Sequence, residues 1–282
     1  MAALDPQEVF LLERYTSAAY TGQLRDVWGE MIAHVEQCVD AFMRKPPRDD
    51  RSRLLPDRPD IVWGERVLPN FRDTCRALCD GYIELTHGDL AGLDACHGPM
   101  SDAKGQSDFS PDWMNVADRE TYGRLLNRAS GMAGNISASV GAYWSPGELT
   151  SRYDESARGA LDPPPRWPVY ALDTHTAVRT GHPVKVSGIY LPDTDNSGAQ
   201  FLSAAGDVAP EACAFIRMED LLNPDNGQKY AGQPIFDKRA VLWRLVTRTS
   251  DAGTTWPIEG AVAPQRRHLS TSATGQASAP TR

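Results

Sequence analysis

No stretch of this 282-residue chain approaches the ~20 consecutive apolar residues that a membrane-spanning helix requires. Nor is there a basic cap followed by an apolar run near Met1–Gln7, where Asp5 and Pro6 stand instead. A cytoplasmic location is the resulting expectation. Cysteine is sparse, five residues at irregular spacing, and an odd number fits a reducing compartment better than a disulfide framework. Lys and Arg total only 29 against 37 Asp and Glu, for a net charge of -8. A chain short of cations cannot neutralise phosphates broadly, which argues against nucleic acid as partner. Walker, GxGxxG, HExxH, EF-hand and GxSxG patterns are all missing, so no motif calls for a cofactor.

What the chain does have is periodicity, and it changes character part-way along. Asp5-Pro6 has the form of an N-cap with proline at the first helical position, predicting a helix to about Tyr20 and a break near Thr21-Gly22. Leu24, Trp28, Met31, Val35, Cys38 and Phe42 then fall at steps of three and four, a helical seam ending ahead of Pro46-Pro47. Residues 46–60, rich in Pro, Arg and Asp, read as an exposed connector. Leu68, Phe71, Cys75, Leu78, Tyr82 and Leu85 make a second seam closed near Gly88. Residues 92–110 read as a long loop with at most one short helical turn. The third seam opens at Ser110-Pro111 and carries Tyr122, Leu125, Ala129, Met132, Ile136 and Tyr143, and Pro146–Arg158 is compatible with one more short helix.

Beyond Pro163-Pro164-Pro165 the alternation has period two. Thr174–Thr180 and Val184–Leu191 read as strands joined in a hairpin through Gly181-His182-Pro183. Asp193–Gly198 reads as a turn, Ala199–Ala204 and Ala212–Met218 as weaker strands, Asn223–Gln233 as irregular, and Ala240–Thr249 as the strongest strand. The expected fold is α+β: an antiparallel helical bundle over 1–162, a small antiparallel β module over 163–249 and a disordered tail over 250–282. Trp63 and Trp167 are expected as packing anchors, the latter pinning the β module to the bundle.

Candidate chemistry is thin. Cys75, Cys79, Cys96 and His97 could be drawn as a zinc site, but the spacing lacks CxxC pairs and Cys75 lies in the apolar seam, so core cysteines are expected. Ser137 and Ser139 sit among small residues on the third seam, where easing helix contact explains them. His175 could pair with Asp173 but has no serine beside it, and His34 and His87 fall on helices with no common grouping. The informative feature is charge. Residues 1–162 carry 26 acidic and 17 basic side chains, and residues 80–120 hold nine carboxylates against Lys104 and Arg119. Such a field attracts a basic protein and speeds its arrival.

Glu13-Arg-Tyr-Thr-Ser17, the run from Pro59 to Asp73 containing Ile61-Val-Trp-Gly-Glu-Arg-Val-Leu-Pro69, Asp173–Gly181, Gly188–Asp193 and Val241–Val246 together resemble immunity proteins of bacterial polymorphic toxin systems, those tied to contact-dependent and type VI secretion effectors. The resemblance implies a non-catalytic inhibitor that binds one cognate toxin. With cytoplasmic residence it implies a toxin acting there, such as a nuclease whose basic groove an acidic inhibitor would fill. The expected contact residues are Glu84, Asp89, Asp94, Asp102, Asp108 and Asp112, with no catalytic residue, metal, nucleic acid or membrane contact. An adaptor bundle or an unrecognised hydrolase are the alternatives from other classes.

Overall fold

The computed structural model describes residues 2–253. Asp5 accepts from the backbone N–H of Gln7 at 2.8 Å, satisfying a donor that the first turn leaves without a partner, and Pro6 opens α1 (Pro6–Tyr15). The predicted break at Thr21-Gly22 lies instead at Thr16-Ser17. Thr16 Oγ1 donates to the Leu12 carbonyl at 2.8 Å and Ser17 Oγ accepts from Tyr20 N at 3.2 Å, so two hydroxyls close one helix and start the next. Gly22 lies inside α2 (Ala18–Arg44), with the Tyr82 ring packed on it.

α2 is the centre of the helical half. Trp28, fully buried, donates its indole N–H to the Phe71 carbonyl at 2.9 Å, while Gly22 meets Tyr82, so α4 (Leu68–Thr86) runs antiparallel to α2. Contacts of His34 with Asp118 and of Tyr20 with Asn135 set α6 (Val116–Val140) antiparallel on its other side. The expected second seam is helical from further upstream: α3 (Pro59–Val62) passes through a π turn at Trp63–Val67 directly into α4. That turn faces Trp63 inward, 1% exposed, edge-on to Trp113 and Tyr122. The 46–60 connector holds two short 3-10 turns and is mostly exposed, although Asp50 is buried.

Two expectations in this half need correction. The 92–110 loop is largely helical, a 3-10 segment at Leu90–His97 followed by α5 (Gly98–Gln106). Glycine removes the obstacle: a Cβ on Gly92 would lie 2.2 Å from the Gly81 carbonyl oxygen, so the segment docks backbone to backbone on α4. Tyr143 is not on the third seam, because α6 ends at Val140 and Ala142 takes φ 52°, leaving Tyr143 exposed. Of the helix allowed over Pro146–Arg158, only one turn forms, α7 (Glu155–Arg158).

The β half also departs from the predicted order. Strands β1 (Val169–Arg179), β6 (Leu242–Ser250), β2 (Gly188–Pro192) and β3 (Gln200–Leu202) form one antiparallel sheet in that order. The predicted β1–β2 hairpin is therefore split by β6. Thr180 N–H donates to the Val241 carbonyl and Gly181 N–H to that of Ala209, turning the chain out of the sheet before β2. Asp173 bonds the backbone N–H groups of His175 and Thr176 and bulges β1 between Leu172 and Ala177. β4 (Ala212–Leu222) and β5 (Lys229–Arg239) make a separate two-stranded hairpin, so the stretch expected to be irregular ends inside a strand. The tail predicted over 250–282 lies, from residue 254, outside the described residues.

One apolar core runs from the helices to the inner face of the sheet, taking in Tyr170, Ile189, Leu191, Phe201 and Val246. A smaller one on the outer face gathers Val178, Val184, Tyr190, Leu202, Val241 and Trp243. Trp167, 1% exposed, meets Phe10 of α1 edge-on at 5.4 Å, the anchoring its position predicted. Among the described residues no helix is long and apolar enough to cross a membrane.

Candidate protein-binding face

Because Gly92 sits on Gly81 and Gly98 on Thr74, the chain after α4 folds back along that helix. This fold-back decides where the acidic stretch goes. Of the nine carboxylates between 80 and 120, seven are exposed: Asp80, Glu84, Asp89, Asp94, Asp108, Asp112 and Glu120. They make up an acidic flank that follows the chain from α4 to α6: Asp80 and Glu84 on α4, Asp89 and Asp94 at the 3-10 segment, Asp108 and Asp112 between α5 and α6, and Glu120 on α6.

The six predicted contact residues do not share one environment. Glu84 stands in the last turn of α4, exposed, four residues after Asp80. Like charges at that spacing repel, and the negative end of the helix dipole disfavours Glu84. No basic residue occupies that last turn. Asp89 caps the 3-10 segment by accepting from Ala91 N at 3.0 Å, which leaves its charge outward. Asp94 and Asp108 are exposed, and among the described residues neither makes an ion pair, nor do Asp80, Glu84 or Asp89. Asp112 is different: a hydrogen bond from Ser110, and then Arg119, which pairs with it, hold its carboxyl below the ordinary range. Asp102 also differs. It is half-buried against Thr74, one oxygen finds no partner, and burial raises its pKa. The uncompensated charge therefore belongs to Asp80, Glu84, Asp89, Asp94, Asp108 and Glu120, none of which makes an ion pair among the described residues.

Lys104, on α5, is exposed and makes no ion pair among the described residues, whereas several arginines of α2 and α4 are already engaged. Arg25 lies over the Tyr82 ring at 4.4 Å and pairs with Asp26 at 2.7 Å. Arg72 pairs with Glu36 and Arg76 with Asp73. Sequence counting registered the acidic excess but not which carboxylates their own fold neutralises.

Other groupings offer less. A cleft of about 670 Å³ opens between α1 and the sheet, lined by Phe10, Glu13, Arg14, Ile189 and Arg248. Its acid is engaged, since Glu13 accepts from Tyr170 Oη at 2.7 Å and pairs with Arg248 at 3.1 Å. Ser137 Oγ lies 3.0 Å from His97 Nδ1, a pairing sequence spacing did not suggest. The pair is exposed, and among the described residues no carboxylate bonds the ring's other nitrogen, as a base-orienting group would. His175 and Asp173 meet only through the backbone turn.

The four residues of the drawn zinc site do not converge. Cys96 is buried, 3.9 Å from Thr21, with its thiol pushed up to about 11 by burial, while His97 turns to Ser137. Cys75 and Cys79 are free thiols in hydrogen-bond contact with each other. A different set does meet: His34, Cys38 and Asp118 place one donor atom each within 4.8 Å of one another. His34 and Cys38 are four apart on α2, a spacing legible in the sequence, but their third partner comes from α6 and is not.

Comparison of the chain with protein-family models, curated proteins and solved structures finds no match.

Proposed function

We propose that this chain is a non-catalytic binding protein that neutralises a cognate secreted toxin in the manner of an immunity protein. The observation that carries the reading is the set of exposed carboxylates without internal counterions, Asp80, Glu84, Asp89, Asp94, Asp108 and Glu120. Charges that repel one another and oppose a helix dipole cost stability when alone, and a basic partner removes that cost. The fold supports the same reading by holding this flank on a backbone-to-backbone contact, which presents a stiff surface. Specificity and fast capture then come from complementary potential across the interface.

The experiment is co-expression with the toxic C-terminal domain of the neighbouring secreted protein. The triple variant Asp89→Lys, Asp94→Lys, Asp108→Lys is expected to fold, to lose protection and to bind with a weakened salt dependence. Protection and salt dependence equal to those of the unaltered protein would remove this face from the account.

A further inference from the structure

We infer that His34, Cys38 and Asp118 form a binding site for a divalent transition-metal ion of the zinc class. His34 and Cys38 occupy one face of α2, because residues four apart stack on the same side of a helix. Asp118 belongs to the first turn of α6, and the N-cap Asn115 fixes it twice: Asn115 Oδ1 accepts from Asp118 N at 3.0 Å and Asn115 Nδ2 donates to Asp118 Oδ2. A ligating carboxylate oriented by a second hydrogen-bonding residue is the usual support of a metal site.

The donors are of three kinds, imidazole nitrogen, sulfur and carboxylate oxygen, a mixture that suits Zn²⁺ and not the hard cations Mg²⁺ or Ca²⁺. Cys38 is buried while His34 and Asp118 are half-exposed, so a water can complete the tetrahedron from the solvent side. Electrostatics favour a cation here. Among the described residues no Lys or Arg ion-pairs with Asp118, so its carboxylate has no cationic partner within the fold.

A carbonyl oxygen only accepts, so His34 Nε2 carries its proton toward the Asp118 carbonyl at 2.9 Å, with Cys38 Sγ 3.7 Å from that nitrogen. Metal binding forms M–N, M–S and M–O bonds. The thiol proton leaves to solvent, one per metal. If Nε2 is the ligand, the neutral imidazole moves its proton to Nδ1, with no further change in charge. Affinity therefore rises with pH.

The test uses the full, reduced, chelator-treated protein and Co²⁺ as probe. One equivalent is expected to bind with a near-ultraviolet thiolate-to-cobalt charge-transfer band. Cys38→Ser should abolish the band, and His34→Ala should weaken binding by roughly tenfold or more. In case a variant misfolds, the unaltered protein is alkylated with and without Zn²⁺, and the Cys38 peptide is expected to be the one the metal protects. A missing charge-transfer band overturns the site, as does a band undiminished in Cys38→Ser or protection confined to Cys75 and Cys79.

Discussion

Single residues already show how the fold uses polarity. Glu8 on α1 is almost wholly buried and accepts from the Ala199 backbone N–H at 2.8 Å, tying the first helix to the strand region. Burial, with Asp5 nearby, raises its pKa from 4.5 to about 8, so the folded protein holds a proton there at neutral pH. The unfolded chain releases that proton above its ordinary value. Glu8 is therefore without penalty below pH 4.5, costs progressively more as pH rises toward 8, and costs its full amount above. The slope approaches about 1.4 kcal/mol per pH unit within that window. Urea titrations between pH 5 and 8.5 should show it, and Glu8→Gln should flatten the profile and be the more stable form at pH 8.5. A profile unaltered by Glu8→Gln would mean the carboxyl is ionised in place. Burial of this kind was not legible beforehand, because Glu8 sits in an ordinary acidic first turn and its partner is almost two hundred positions away.

At the scale of elements, the contact between α4 and the 3-10 segment after it is the joint that shapes the acidic flank. Gly92→Ala puts a methyl group 2.2 Å from the Gly81 carbonyl oxygen, and Gly81→Ala puts one 2.5 Å from that of Gly92. Backbone on both sides cannot swing aside, so each substitution should destabilise by about 1–3 kcal/mol. Gly105→Ala, whose added methyl meets open space, should not. Equal stability of all three by chemical denaturation would contradict the packing. The three long helices and the strongest strand were legible, since seams such as Leu24–Trp28–Met31–Val35 repeat often enough to identify a buried face. The segment 92–110 was not. Gly, Ser and Asp give it loop composition, and its helical form depends on a neighbour's backbone. Strand order was hidden for a similar reason. Adjacency in sequence suggested a β1–β2 hairpin, whereas β6, from the far end of the chain, supplies the pairing both strands use.

For the whole molecule, helices and sheet share one core, and Trp167 on Phe10 joins the two halves. The cleft and the aromatic clusters lie within this framework, and the acidic flank lies outside it. The position of excess charge was legible from counting, but its division was not. Arg119 takes Asp112 out of the uncompensated set, burial takes out Asp102, which lies against Thr74, and Asp80 and Glu120 join it. On this account reversing Asp112 should cost less affinity for the toxin than reversing Asp94, because Asp112 brings a counterion of its own. Isothermal titration of the two single variants decides between them. The most direct measurement is amide hydrogen exchange across the full chain, with and without the toxic domain. Slowed exchange concentrated between Asp80 and Asp108 is the predicted result. Slowing confined to the β4–β5 hairpin or to the cleft beside α1, with the acidic flank unchanged, would contradict it.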